Sequence, residues 1–220
     1  MRTKKLPILE RLMLFLGMFC FGVLLYRCIF TWNLHYTFLL WNLLIAFVPY
    51  VIGKQLLKCK ELNIKAILLL FAWLLVFPVC IYLFTDIVQM HNSDNFYFLY
   101  DLLLFLSFGF TGLVPGLISL RQVETFLSRH LPDFFAKASV LFFILLSSYS
   151  ICSVRFLHLK SWNIIADSKL MLHVTEKDIL RPEDHVSVLL SFLVLVLLID
   201  LLYAGFKKLY YYKRPVLKIK

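Results

Sequence analysis

The chain has 220 residues, of which 61% are apolar and 16% charged, and its mean hydropathy of +0.83 excludes a soluble domain in favour of a polytopic membrane protein. A net charge of +10 and a pI near 9.4 would point to nucleic acid in a soluble protein, but here the basic residues border apolar runs and set orientation. No nucleic-acid partner is expected.

Six apolar runs are long enough to cross a bilayer as helices, near residues 6–29, 37–53, 64–84, 96–120, 136–154 and 186–206. The fold class is therefore all-α, a single transmembrane domain over 1–220 with six transmembrane helices. The first run follows a basic start, MRTKK, like that of a signal peptide, but no small-x-small cleavage site precedes the polar stretch after Ile29, so a retained helix is expected. In the second run Asn42, Ala46, Pro49 and Gly53 are spaced 4, 3 and 4 and form a small or polar stripe. The third contains Pro78, which removes a backbone donor and should kink the helix before Thr85 and Asp86 leave the membrane.

The fourth run, FYFLYDLLLFLSFGFTGLVPGLISL, holds one charge, Asp101, before Arg121 closes it. At ~100° per residue, Asp101, Phe105, Gly109, Gly112, Gly116 and Ser119 share an arc roughly 80° wide. This face should meet other helices, because small residues let helix backbones approach closely, and it should carry Asp101 into the protein interior. Leu104 lies outside the arc. The fifth run places Ser148, Cys152 and Arg155 on one face. The outer loop 155–185 contains in its first half SWNIIADSKLMLH, a mixture suited to an amphipathic helix along the interface or to an irregular connection. Pro182, Glu183 and Asp184 then look like a helix start. In the sixth run Asp200 is seven residues from Lys207, close enough for relief by snorkelling or pairing. No internal repeat or low-complexity segment occurs.

Six spans put both termini on one side. That side gathers 17 of the 23 Lys and Arg residues, so both termini are expected in the cytoplasm. The cluster Tyr210, Tyr211 and Tyr212 beside Lys213 and Arg214 suits the same interface.

This orientation brings Arg27, Asn42, Asp86, Asp101 and Arg155 to one level near the outer surface. Charges at such depth need partners. An Asp101–Arg155 or Asp86–Arg155 ion pair could fix helix positions. Two carboxylates with an arginine could also bind a phosphate-bearing lipid headgroup, or supply an acid and a base. His35, His91, His158, His173 and His185 fall on the same side, yet no HxH, HxxxH or HExxH spacing occurs, so no metal site and no cofactor are expected. The five cysteines, Cys20, Cys28, Cys59, Cys80 and Cys152, form no CxxC pair and read as inert thiols. No GxSxG, P-loop, GxGxxG or thiol–histidine signature is present.

At these positions the sequence resembles a bacterial membrane-protein family known as domain of unknown function family 1361. The resemblance rests on FLLWNLLIAFVPYVI, IYLFTDIVQM, LYDLLLFLSFGFTGLVPGLISL and VRFLHLKSWN. The family pattern is similar at Trp41, Asn42, Pro49, Thr85, Asp86, Tyr100, Asp101, Gly112, Ser119, Leu120, Arg155 and Trp162. It departs where Val79, Gln89 and the segment Lys160, Ser161, Trp162, Asn163 stand, so an activity needing the family's polar groups there would be lost. The resemblance implies a multi-pass protein of the bacterial cytoplasmic (inner) membrane and supplies no reaction.

The candidate polar site is thus Asn42, Asp86, Asp101, Arg155 and Trp162, and the candidate packing face is Gly109, Gly112, Gly116 and Ser119. The expected role is a non-catalytic component that binds a lipid headgroup or partner protein at the outer face, with membrane lipids and a membrane protein as candidate partners. The alternative is a membrane enzyme acting on a lipid-linked envelope substrate.

Overall fold

A computed structural model describes residues 8–31, 35–87, 98–156 and 182–212, and its regular elements are all helical among these residues. Six spans are long and apolar enough to cross a membrane, as expected from the hydropathy pattern. They fall into two units, residues 1–130 and 131–220.

The first unit begins with α1 (Ile8–Thr31), followed by a 3-10 turn (His35–Thr37), α2 (Phe38–Ala46) and α3 (Val48–Leu56). The second run is therefore two helices rather than one. Pro49 explains the break: it has no N–H to donate and its ring clashes with the carbonyl four residues back, whereas it is tolerated in the first turn of a new helix. Phe47 takes up the junction, its N–H turning to the Leu44 carbonyl at 3.3 Å. The next helix, α4 (Ile64–Thr85), starts at Asn63, whose side chain accepts from the Ala66 N–H at 3.0 Å. Pro78 lies within α4, which continues past it to Thr85.

α5 (Phe98–Leu127) outruns the apolar segment that announced it. Arg121 does not end the helix because its guanidinium pairs with Glu124 one turn on, at 2.7 Å, and its carbonyl accepts from Thr125 Oγ1 at 2.7 Å. α5 packs against α1, α2, α3 and α4 and is the central helix of the unit. Asp101, Phe105, Gly109, Gly112, Gly116 and Ser119 are all buried, as the arc required. Leu104 is buried too, although it lies off that arc, because a helix with neighbours on several sides has a broad interior face. Leu103 and Phe110 are exposed.

In the second unit the described residues form two mutually packed helices, α6 (Asp133–Phe156) and α7 (Pro182–Tyr212). Ile144, Ser148 and Cys152 form a buried stripe on α6, and Leu195, Ile199 and Tyr203 form one on α7. The expected interfacial helix after Arg155 lies outside the described residues, as do the side chains of Tyr210, Tyr211 and Tyr212.

Candidate functional site

The polar residues of the first unit gather at its two ends. At one end Asp101 lies in the first turn of α5, where the positive end of the helix dipole favours a carboxylate. Arg27, one turn before the end of α1, reaches it with a two-pronged contact: Nε donates to Oδ1 at 2.6 Å and Nη2 donates to Oδ2 at 3.0 Å. Tyr36 on the 3-10 turn donates its hydroxyl to Oδ2 at 3.1 Å. The Arg27 guanidinium lies 5.6 Å from the centre of the Tyr36 ring, whose edge in turn meets Phe105. Tyr100 adds a further link by donating to the Val23 carbonyl of α1 at 2.7 Å.

The side chains of Asp101 and Arg27 are 0% and 11% exposed, so this ion pair is shielded from water. An apolar cluster that includes Leu24, Leu39, Leu43, Leu104 and Phe105 packs around α1, α2 and α5 beside it. Burial and the neighbouring Asp101 carboxylate push the Tyr36 phenol upward, which keeps it a protonated donor. Both Asp101 oxygens thus accept charge-assisted or phenolic hydrogen bonds. Using this carboxylate as a general base would require breaking the link between α1 and α5.

Sequence spacing pointed to Arg155 as the partner of Asp101 or Asp86; among the described residues the arginine on Asp101 is Arg27. The physical reason is that α1 packs directly on α5 and brings a guanidinium to the level of its first turn. The Arg155 side chain and Trp162 lie outside the described residues. Asp86, expected to leave the membrane, is fully buried on the short turn that extends α4. Asn42 is half-buried at the middle of α2.

The opposite end carries a cluster that spacing did not reveal. Glu10 of α1 accepts from Lys54 Nζ and, at 2.9 Å, from Tyr50 Oη, both on α3. The signal for it was the isolated acid among the basic residues at the start of the first apolar run. At this end Arg129 Nη1 donates to the Leu57 carbonyl at 3.3 Å, and the ring nitrogens of His130 lie 2.9 Å from the Phe126 and Lys60 carbonyls. α1 is therefore held at each end by an ion pair to a different helix.

Between these ends the small face of α5 meets α4, and the small stripe of the second run reaches α5 at Ala46 and at Gly53, where a Cβ would run into the Gln122 side chain. A Cβ on Gly109 would lie 3.0 Å from Phe84 Cα, and one on Gly116 would lie 2.7 Å from Cys80 Cβ. Gly112 touches both neighbours, with its virtual Cβ 2.6 Å from Leu83 Cδ1 and 3.6 Å from Ala46 Cβ. Ser119 turns its hydroxyl to the Gly116 carbonyl at 2.7 Å. Among the described residues no group of three or more His, Cys, Asp or Glu side chains could hold a metal ion, and His35, His91, His158, His173 and His185 have no described side chain.

Residues 41–199 match the family described as Protein of unknown function (DUF1361). The chain belongs to this family. The DUF1361 match takes in Asn42, Asp86, Asp101, Arg155 and Trp162, while Glu10, Arg27 and Tyr36 precede it and Asp200 follows it. No curated protein and no solved structure matches the chain. This DUF1361 chain is thus a helical protein with a multi-pass membrane architecture.

Proposed function

We propose that the chain is a non-catalytic component of the bacterial cytoplasmic membrane, with both termini in the cytoplasm, that binds a lipid headgroup or partner protein at the outer polar end. The observation that carries this reading is the saturation of Asp101 by Arg27 and Tyr36. A carboxylate held in this way fixes α1 against α5, whereas an acid–base catalyst needs an oxygen within reach of its substrate. Asn42, half-buried on α2, hydrogen-bonds no described residue and is suited to recognise a headgroup. The excess of Lys and Arg on the side of the termini supports the orientation.

Native mass spectrometry of the purified protein, paired with lipid profiling of a deletion strain, tests this proposal. The expected result is one retained phosphate-bearing lipid class or one stable protein partner, reduced in Asn42→Leu, with unchanged envelope lipids in the deletion strain. An accumulated lipid-linked substrate in that strain would instead establish the enzymatic alternative.

A further inference from the structure

His130 closes the first unit three residues after the end of α5, beyond the charge-bearing segment 121–129 that follows the apolar run 96–120. Its half-buried ring stands between two backbone carbonyls: Nδ1 is 2.9 Å from the oxygen of Phe126, and Nε2 is 2.9 Å from that of Lys60, on the connection between α3 and α4. A carbonyl oxygen cannot donate, so each contact is a hydrogen bond only where the ring nitrogen carries the proton. A neutral imidazole has a single N–H and would turn the lone pair of its other nitrogen toward an oxygen. Both contacts are satisfied only in the doubly protonated ring.

The surroundings suit that charge. The ring lies at the C-terminal end of α5, the negative end of the helix dipole. The buried Phe126 ring adds an aromatic neighbour, its centre 4.6 Å from that of His130. The two carbonyls raise the proton affinity of the imidazole above the ordinary histidine range, desolvation and Arg129 oppose them, and Glu61 on the connection adds to them. Lys60 contributes its carbonyl, while its side chain is exposed.

We propose that His130 is a proton-operated clasp between the end of α5 and the α3–α4 connection. With both protons the ring holds Lys60, and with one it releases it. The Phe126 contact spans four residues of one helix end, whereas Lys60 is 70 residues away in the chain, so the long-range contact is the one that yields. Arg129, which donates to the Leu57 carbonyl, keeps its charge throughout and retains the start of the connection. Deprotonation therefore loosens residues 58–63 without freeing α3 from α5. Because the folded chain binds this proton more tightly than the unfolded chain, the stabilisation is complete below the unfolded titration and is lost as pH rises through the folded one. The clasp lies at the end opposite Asp101 and is independent of the function read there.

The test uses the full chain with isotope-labelled histidine in detergent micelles, where NMR reports the protonation of each ring nitrogen and His130→Gln identifies the resonances. His130 should keep both protons at a pH where a free histidine peptide has mostly lost one. Hydrogen exchange of the segment 58–63, corrected for the pH dependence of the chemical step, should accelerate across the same titration and show no such step in His130→Gln. Glu61→Gln should move both readouts together to lower pH. Should His130→Gln not fold, the coincidence of the two readouts in the wild type and their shared shift in Glu61→Gln decide the matter. A His130 ring that titrates at or below the free peptide would overturn the proposal. So would exchange over 58–63 that is indifferent to the titration, or a step that survives in His130→Gln.

Discussion

Replacing Gly116 by alanine tests the central helix contact with a single methyl group. The added Cβ would stand 2.7 Å from Cys80 Cβ and 3.3 Å from its Sγ, whereas carbon atoms in contact prefer about 3.5–4.0 Å. The shortfall is about 1 Å and has no easy outlet. Cys80 is fully buried, its Cβ moves only with the α4 backbone, and its thiol donates to the Ala46 carbonyl at 3.2 Å. α4 and α5 must therefore separate, at a cost of about 1–3 kcal/mol for an overpacked contact. Gly109→Ala meets backbone at Phe84 Cα and should behave similarly, while Gly112→Ala meets the tip of Leu83 and should cost less. Gly17→Ala is the control, because nothing lies within 4 Å of that position. Helices in the membrane-like unfolded state are already formed, so alanine gains little there from helix propensity. Thermal unfolding in detergent can be followed by tryptophan fluorescence, to which Trp73, buried and stacked on Phe77 beside this contact, contributes. Gly116→Ala melting together with Gly17→Ala and the wild type would refute close packing of α4 on α5.

Arg27→Ala should strand a buried carboxylate and destabilise the first unit by about 3 kcal/mol, the lower end of the range for breaking a buried pair because Arg27 retains some exposure. Asp101→Asn combined with Arg27→Gln should recover part of that loss in the same melting assay. At the other end Lys54→Met should cost at most about 1 kcal/mol, since Lys54 is 46% exposed and solvent screens its pair with Glu10. Leu104→Ala should lower the melting temperature well below that of Leu103→Ala, because Leu104 is fully buried and Leu103 is 61% exposed. Single cysteines at positions 93, 128 and 168, in a chain without native cysteines, should label from outside at 93 and 168 only; labelling at 128 alone would reverse the proposed orientation.

The sequence by itself determined the helical class, the number of spans and the buried face of α5. Each follows from local regularities: apolar length against bilayer thickness, and a helical period that gathers Asp101, Gly109, Gly112 and Gly116 on one side. Tertiary structure decided which helix meets which. Periodicity gives the direction of a face along its own axis and carries no information about the neighbour across from it. The pairing of Arg27 with Asp101 therefore went unforeseen, and it follows from the packing of α1 on α5. The same ignorance hid the burial of Leu104 and the meeting of Glu10 with Lys54, which are far apart in the chain. The break at Phe47 is intermediate: Pro49 announces the missing hydrogen bond, but whether a helix bends or restarts depends on what surrounds it.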